Sequence, residues 1–476
     1  MSNLLRVITL TLLLPAMWPS LWGQQGGVKR MSLQEAIDYA LTQSTEIKNA
    51  QINIADAEQQ VVERRSTGLP QITGSASFQR YLQIPRQPLP EGFSIFGLFT
   101  EALAVDLRPQ LSEDTGNAID EIYQGSQNGG DGSQGIAFFL RNNFTAALNL
   151  DAMVFDGSYF VALQAARQYR VYTEREFQVR KREVENSVLD AYLPLLLFDE
   201  NRELLDKNIA NLEGLLYETR ELYKAGFAEQ LDVDRLELSR ANLLIERDNL
   251  DRQKEVALTA LKYAIGYPLE EELAISDDLE GLSDDVEENM LVGEIDLQRR
   301  PEINMLDQAI TMNDLNIKLN KAGYLPSLRA FGAVQQQYQG NDFKSGFWAP
   351  GAYVGLSLNV PIFDGLYKKA QIQRAQLNQE ITRNQRKDLG RAIQLEVSNA
   401  RTNYLNAQEK LDSQQKNLDL AQRIYDTTQV KYREGVGSSV EVTQAEQSLY
   451  TTQANYLQAL YEVVIAKMRL EQALGR

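Results

Sequence analysis

The chain is two copies of one unit, and this duplication limits its fold more than any other feature. Leu69-Pro70 returns as Leu325-Pro326 after 256 residues, and Phe155-Asp156-Gly157 returns as Phe363-Asp364-Gly365 after 208. Tyr223-Lys224-Ala225-Gly226 returns as Tyr432-Arg433-Glu434-Gly435, and Ala264-Ile265-Gly266 as Ala473-Leu474-Gly475, both after 209. The order is the same in both halves, as in a tandem structural repeat. The shift falls by 48 (256 − 208) between the first two landmarks, so the first copy carries about 48 extra residues there. That insert, 85–135, is rich in Pro, Gly and acid.

Each copy reads helix, strand, loop, strand, very long helix, turn, long helix. The first copy, 24–269, is expected to hold an opening helix over 33–67, with Ser32 and Glu35 spaced for a capping box. Strands are expected at 71–84 and 138–155, a long helix at 158–224 and a return helix at 231–265. Residues 270–298 read as an acidic surface linker with one short helix. The second copy, 299–476, reads as a helix at 301–322, strands at 327–338 and 352–363, a long helix at 366–433 and a return helix at 440–474.

The helices carry a seven-residue period. Stepping by four and three from Ile393 gives Val397, Ala400, Tyr404, Ala407, Leu411, Gln414, Leu418, Ala421, Tyr425, Thr428 and Tyr432, and ten of these twelve positions are apolar. Subtracting 209 gives Val184, Val188, Ala191, Leu195, Phe198, Arg202, Leu205, Ile209, Leu212, Leu216, Thr219 and Tyr223, again ten of twelve. The return helix continues the pattern from Val442 through Ala445, Leu449, Thr452, Tyr456, Ala459, Val463, Ala466 and Leu470 to Ala473. A sustained 3.5-residue period keeps one stripe on a partner only in a left-handed coiled coil. By itself this pattern also fits a soluble coiled-coil rod. Pro194 is expected to kink the first long helix, whereas its counterpart Asn403 is not.

The strands alternate with period two. Leu148, Leu150 and Val154 share a face with Phe144, Ala146 and Ala152, opposed by Thr145, Asn149 and Asp151. Val354, Leu356, Leu358 and Val360 share a face with Ile362, opposed by Tyr353, Gly355, Ser357 and Asn359. Such faces suit lipid on one side and water on the other, and Phe138, Phe139, Phe343, Phe347, Trp348 and Tyr353 stand where interfacial aromatics are expected. A half-buried soluble sheet has the same alternation. Four strands cannot close alone, and open edges are prohibitive in hydrocarbon. The smallest membrane barrels have about eight strands, so a sheet in a membrane must be shared among copies.

Composition narrows the chemistry. The 476 residues include no Cys and no His, which removes thiol nucleophiles, disulfides, zinc fingers, haem–His ligation and the Ser-His-Asp triad. No Gly-rich phosphate loop or nucleophile elbow is present, so no enzyme, cofactor, metal or catalytic residue is expected. A formal charge of −17 argues against nucleic acid as a partner. Residues 1–23, with Arg6 before the apolar stretch Val7–Leu14, read as a secretory signal peptide. No later stretch offers 18 uninterrupted apolar residues, the length a membrane helix needs.

Several motifs together resemble the TolC family of outer-membrane export channels. They are Ser32-Leu33-Gln34-Glu35-Ala36, Gly68-Leu69-Pro70, Gly323-Tyr324-Leu325-Pro326, Val360-Pro361-Ile362-Phe363-Asp364-Gly365 and the two Tyr-x-x-Gly turns. The resemblance spans Met31 to Gly475. It implies an α+β membrane protein that assembles as a homotrimer: three sets of four strands form one twelve-stranded barrel, continuous with a coiled-coil α-helical barrel in the periplasm. It implies a passive exit duct for a tripartite efflux pump or type I secretion system. The partners would be a periplasmic adaptor, an inner-membrane RND or ABC transporter and outer-membrane lipid.

The resemblance also places the periplasmic entrance at Tyr223, Asp232, Tyr432 and Glu441, and the adaptor-docking turns at Gly226, Gly435 and Gly437. A second acidic entrance position of the family falls on Gln444, and a constricting arginine position on Gly437. Asp232 and Glu441 also suit the first turn of a helix, where acids complement the dipole. The insert would face outward, with 94–105 forming a short helix at the barrel mouth. The rival reading is a periplasmic coiled-coil structural or adaptor protein without a pore.

Overall fold

A computed structural model describes residues 28–84, 86–87, 112–128, 136–137, 140–284 and 286–476. The expected signal peptide, Phe138 and Phe139, and most of the 85–135 insert with its 94–105 helix lie outside the described residues. In chain order the elements begin β1 (Lys29–Met31), α1 (Leu33–Gln43), α2 (Thr45–Ser66), β2 (Gln71–Arg80), β3 (Arg86–Gln87), α3 (Glu113–Asn128) and β4 (Ile136–Ala137). β5 (Asn142–Asp156), α4 (Gly157–Lys224), α5 (Gln230–Ile265), β6 (Leu273–Ile275), α6 (Leu279–Leu282) and α7 (Glu288–Val292) follow. A 3-10 turn (Leu297–Arg299), α8 (Pro301–Ala322), β7 (Ser327–Gly340), β8 (Phe347–Asn359), α9 (Tyr367–Arg433) and α10 (Ser439–Leu474) complete the chain. These elements form two compact units. One comprises residues 57–170 and 310–381, and the other the residues up to 56 with 171–309 and 382–476.

The first unit is built on an antiparallel sheet of order β2-β5-β7-β8. Its register turns the alternation of single strands into continuous rows. Ile72, Leu150, Gly332 and Val354 form one row, and Gly74, Leu148, Val334 and Ala352 the next. A third row is aromatic on every strand: Phe78, Phe144, Tyr338 and Trp348. Trp348 meets Phe144 edge-on at 6.1 Å, and Phe343 in the β7–β8 turn stacks on both Phe78 and Tyr338. The opposite face carries Thr73, Ser75 and Gln79 from β2, Asn143, Thr145, Asn149 and Asp151 from β5, and Gln335, Gln337 and Gln339 from β7.

Three sequence expectations are corrected here. A β-bulge interrupts β5 between Met153 and Phe155, so Val154 has no paired partner and Phe155 takes the next apolar-face place, opposite Leu328. β8 begins at Phe347 rather than 352, because Pro350 and Gly351 hide the alternation there. Pro350 is tolerated because β8 is an edge strand in this chain. β8 ends at Asn359, just before Pro361, so Val360 and Ile362 lie beyond the ladder.

The second unit is helical, and its cores lie on the heptad stripe. Ile393, Val397, Ala400 and Tyr404 pack with Val463, Ala466, Leu470 and Ala473. Val184, Val188 and Leu195 pack with Leu261, Ile265 and Val464. Leu212, Leu216, Ala421 and Tyr425 pack with Val233, Val442, Ala445 and Leu449. α4 is unbroken through Pro194. The opening helix, in contrast, is two helices. Ser44 adopts an extended backbone, and its hydroxyl accepts from the Glu46 N–H, so it ends α1 and starts α2. The acidic segment folds rather than loops: β6 pairs in parallel with β1, and Leu279 and Met290 are buried. Arg300, also buried, donates to Glu302, Glu396 and the Ala473 carbonyl.

All four coiled-coil helices stop in the same way. Gly226, Gly266, Gly435 and Gly475 hold φ between +72° and +81°. Each donates to the carbonyl three residues back, and the following residue donates to the carbonyl five back, as in Phe227 to Leu222 at 2.8 Å and Val436 to Lys431 at 3.0 Å. This is the Schellman stop, whose left-handed residue costs glycine nothing sterically.

Candidate functional site

The two helix turns lie within the helical unit and are held together by polar contacts. Asp232 accepts from the Glu229 N–H at 3.1 Å and from the Ser439 hydroxyl of the other hairpin, and Arg235 lies 3.9 Å from it. Its carboxylate is therefore occupied in capping α5 and joining the turns. Glu441 differs. Its N–H donates to Ser438 Oγ at 3.3 Å, and its residue is exposed. Tyr223 is exposed, whereas Tyr432 Oη is buried with no hydrogen-bond partner. A Cβ at Gly437 would stand 3.1 Å from the Tyr432 nitrogen, so that turn is closed tightly over its own backbone.

Sequence reasoning placed the family's arginine position on Gly437 and missed the arginine that pairs across the two hairpins. Arg433, at the end of α9, grips Glu218 on α4 with Nε and Nη2. Its duplicate, Lys224, bonds instead to Glu221 of its own helix at 2.7 Å. The duplicate position of Glu218 is Thr427, so the clasp exists once and no repeat search finds it.

Past the glycines both turns expose an apolar side chain at the same repeat position, Phe227 at 82% and Val436 at 78%. Leu231 and Val440, again 209 apart, are exposed behind them. On the sheet, Leu148, Leu150, Val154, Val354, Leu356 and Leu358 are exposed, as is Val360 beyond it. These are two apolar surfaces, one on each unit, left exposed among the described residues.

Comparison with known proteins points in one direction. Residues 294–476 match the family model described as outer membrane efflux protein. The chain is 22% identical over 345 residues to the alkaline protease secretion protein AprF of Pseudomonas aeruginosa, covering 70% of each. It is 21% identical over 344 residues to the outer membrane protein TolC of Vibrio cholerae, covering 70% of this chain and 76% of that one. Over these stretches the chain is similar to outer-membrane efflux and secretion proteins. The fold agrees with solved channel structures. CusC superposes with a TM-score of 0.68 at 17% identity, covering 98% of both chains. The Campylobacter jejuni outer membrane channel CmeC gives 0.65 at 16%, covering 98% of this chain and 94% of that one. No helix among the described residues is long and apolar enough to cross a membrane.

Proposed function

We propose that this chain is a TolC-family protein, the outer-membrane exit duct of a tripartite efflux pump or type I secretion system, and that three copies build it. The sheet unit sits in the outer membrane and the helical part in the periplasm. The observation that carries the reading is the sheet: four strands with apolar, aromatic-ended rows on one face, amides and hydroxyls on the other, and, among the described residues, β2 and β8 each paired on one side only. In hydrocarbon every unpaired backbone group costs several kcal/mol, about the free energy that makes an open edge untenable. Three sheets of four strands close into one twelve-stranded barrel, with Leu148, Leu150, Val354, Leu356 and Leu358 toward lipid and Asn149, Asp151 and Gln335 toward the lumen.

The helices support the same assembly. α5 exposes Leu231, Leu238, Ile245, Val256 and Tyr263, a heptad-spaced stripe outside its own chain's core. A neighbouring copy covers it. The turns around Gly226, Gly435 and Gly437 then form the periplasmic entrance, and Phe227 and Val436 meet a periplasmic adaptor. An inner-membrane RND or ABC transporter drives the cargo. Relatives named for protease secretion and for efflux both fit this duct. Conduction is passive and breaks no bonds.

The test is conductance in planar bilayers. The wild type forms cation-preferring pores, and Glu441→Ala weakens that preference because three exposed carboxylates leave the entrance. Absence of any pore from correctly folded, detergent-extracted protein refutes the duct.

A further inference from the structure

Glu446 stands on α10, two turns past the entrance, and is only 2% exposed. Its neighbours Ala445 and Leu449 belong to the apolar cluster that joins α4, α5, α9 and α10. Its duplicate in the first copy, Glu237, is half-exposed and paired with Arg220 at 2.5 Å. One repeat position thus holds a solvated, ion-paired carboxylate in one hairpin and a buried carboxyl in the other.

The proton count around Glu446 is unequal for its two states. Tyr450 Oη lies 2.7 Å from Glu446 Oε1 and 3.3 Å from the Asn208 carbonyl on α4. A tyrosine hydroxyl has one proton to donate. If Glu446 is ionised, Tyr450 gives that proton to the carboxylate, and the Asn208 carbonyl receives nothing from it. If Glu446 is protonated, it donates to Tyr450 and Tyr450 donates to Asn208. Only the neutral carboxyl makes both contacts hydrogen bonds, and together they tie the second hairpin to the first.

The surroundings favour the same state. Tyr450 faces Glu446 from its own helix, Tyr425 from α9 and the uncharged Asn208 from α4, while α5 contributes Val233 and Leu236. The charges Arg433, Asp426 and Glu218 bear on Tyr425, and Arg433 is engaged by Glu218. Burial raises the Glu446 carboxyl above the ordinary glutamate range, and the Tyr450 bond offsets part of that rise. Burial pushes the Tyr425 hydroxyl up to about 12.

We propose that Glu446 is a proton-held latch on the periplasmic entrance, closed while neutral and released on ionisation. This rests on the reading of the turns as the entrance of a duct. Neutral Glu446 completes the bonded path through Tyr450 to α4. The ionised carboxylate withdraws that path, draws in water and separates the hairpins. The sign follows from linkage. A carboxyl raised on folding gives its full stabilisation below the ordinary glutamate range and loses it as pH climbs through the raised value. The entrance therefore tightens in acid and loosens toward neutral and alkaline pH.

The full-length protein, in detergent and in planar bilayers, provides the test. In wild type, infrared spectra contain a protonated-carboxyl band above the ordinary titration range of glutamate, and Glu446→Gln removes it. Between about pH 4 and pH 9 wild-type open occupancy rises on the order of tenfold, within the usual range of coupling between a bound proton and a conformational equilibrium. Glu446→Gln, always neutral, stays at the low level throughout. Tyr450→Phe cuts the path while keeping the carboxyl, and stays at the high level throughout; it carries the test if the glutamine variant fails to fold. Spectra in which wild type and Glu446→Gln share the same carboxyl bands overturn the latch, as do superimposable pH profiles. Silence of every variant in bilayers counts against the duct itself, and the infrared comparison still decides the proton on Glu446.

Discussion

Arg433 holds Glu218 through two hydrogen bonds, Nε to Oε2 at 2.9 Å and Nη2 to Oε1 at 3.1 Å, and so joins the last turn of α9 to α4. Both side chains are about half-exposed, so solvent screens the pair, and an exposed ion pair contributes about 0.2–1 kcal/mol. Arg433→Ala is expected to raise the open fraction of the entrance by up to about fivefold, the equivalent of about 1 kcal/mol. The charge-swapped pair Arg433→Glu with Glu218→Arg restores the wild-type level. Single-channel open probability measures both.

The apolar rows predict where charge is tolerated. Val354 is 87% exposed within the chain and lies in the row with Ile72, Leu150 and Gly332. Val354→Arg is expected to cost about 2–4 kcal/mol per copy at the middle of a bilayer and to abolish stable assembly. Asn149→Lys, on the opposite face one residue from Leu150 in β5, leaves assembly intact and shifts ion selectivity. Migration of unheated samples on denaturing gels separates the two outcomes.

The glycine stops differ in what a side chain would meet. At Gly435 the space around a Cβ is empty, so Gly435→Ala carries only the left-handed backbone cost, about 1–2 kcal/mol. At Gly475 a Cβ would also stand 2.9 Å from the Arg299 Cβ. Gly475→Ala is therefore the more destabilising of the two, and thermal unfolding of the two variants side by side shows the order.

Arg300 predicts a large loss from one side chain. It is buried, and it binds Glu302, Glu396 and the C-terminal end of α10 through the Ala473 carbonyl. Arg300→Ala strands those acceptors. The expected loss is about 2–3 kcal/mol, below the ~3–5 of a fully buried pair because Glu396 stays half-exposed. Denaturant unfolding gives the value.

Much of this fold is legible in the sequence because the repeat doubles every local signal. The stripe from Ile393 to Tyr425 was readable because burial on a long helix needs a fixed period, and those positions form the cores. The four glycine stops were readable as landmarks for the same reason. What escaped reading is what breaks the repeat or depends on pairing. The Arg433–Glu218 clasp has no duplicate, and Glu446 shares its letter with the exposed Glu237. The helix break at Ser44 rests on one hydroxyl competing for a backbone N–H, which periodicity does not register. The bulge at Val154 appears only when β5 is laid against β7.

In the proposed assembly, this chain's open sheet is a third of a barrel wall. Native mass spectrometry of full-length protein extracted from the outer membrane in detergent tests it most directly. The expected result is a complex of three identical chains, without a populated single-chain species. A single folded chain that stays soluble without detergent would contradict it.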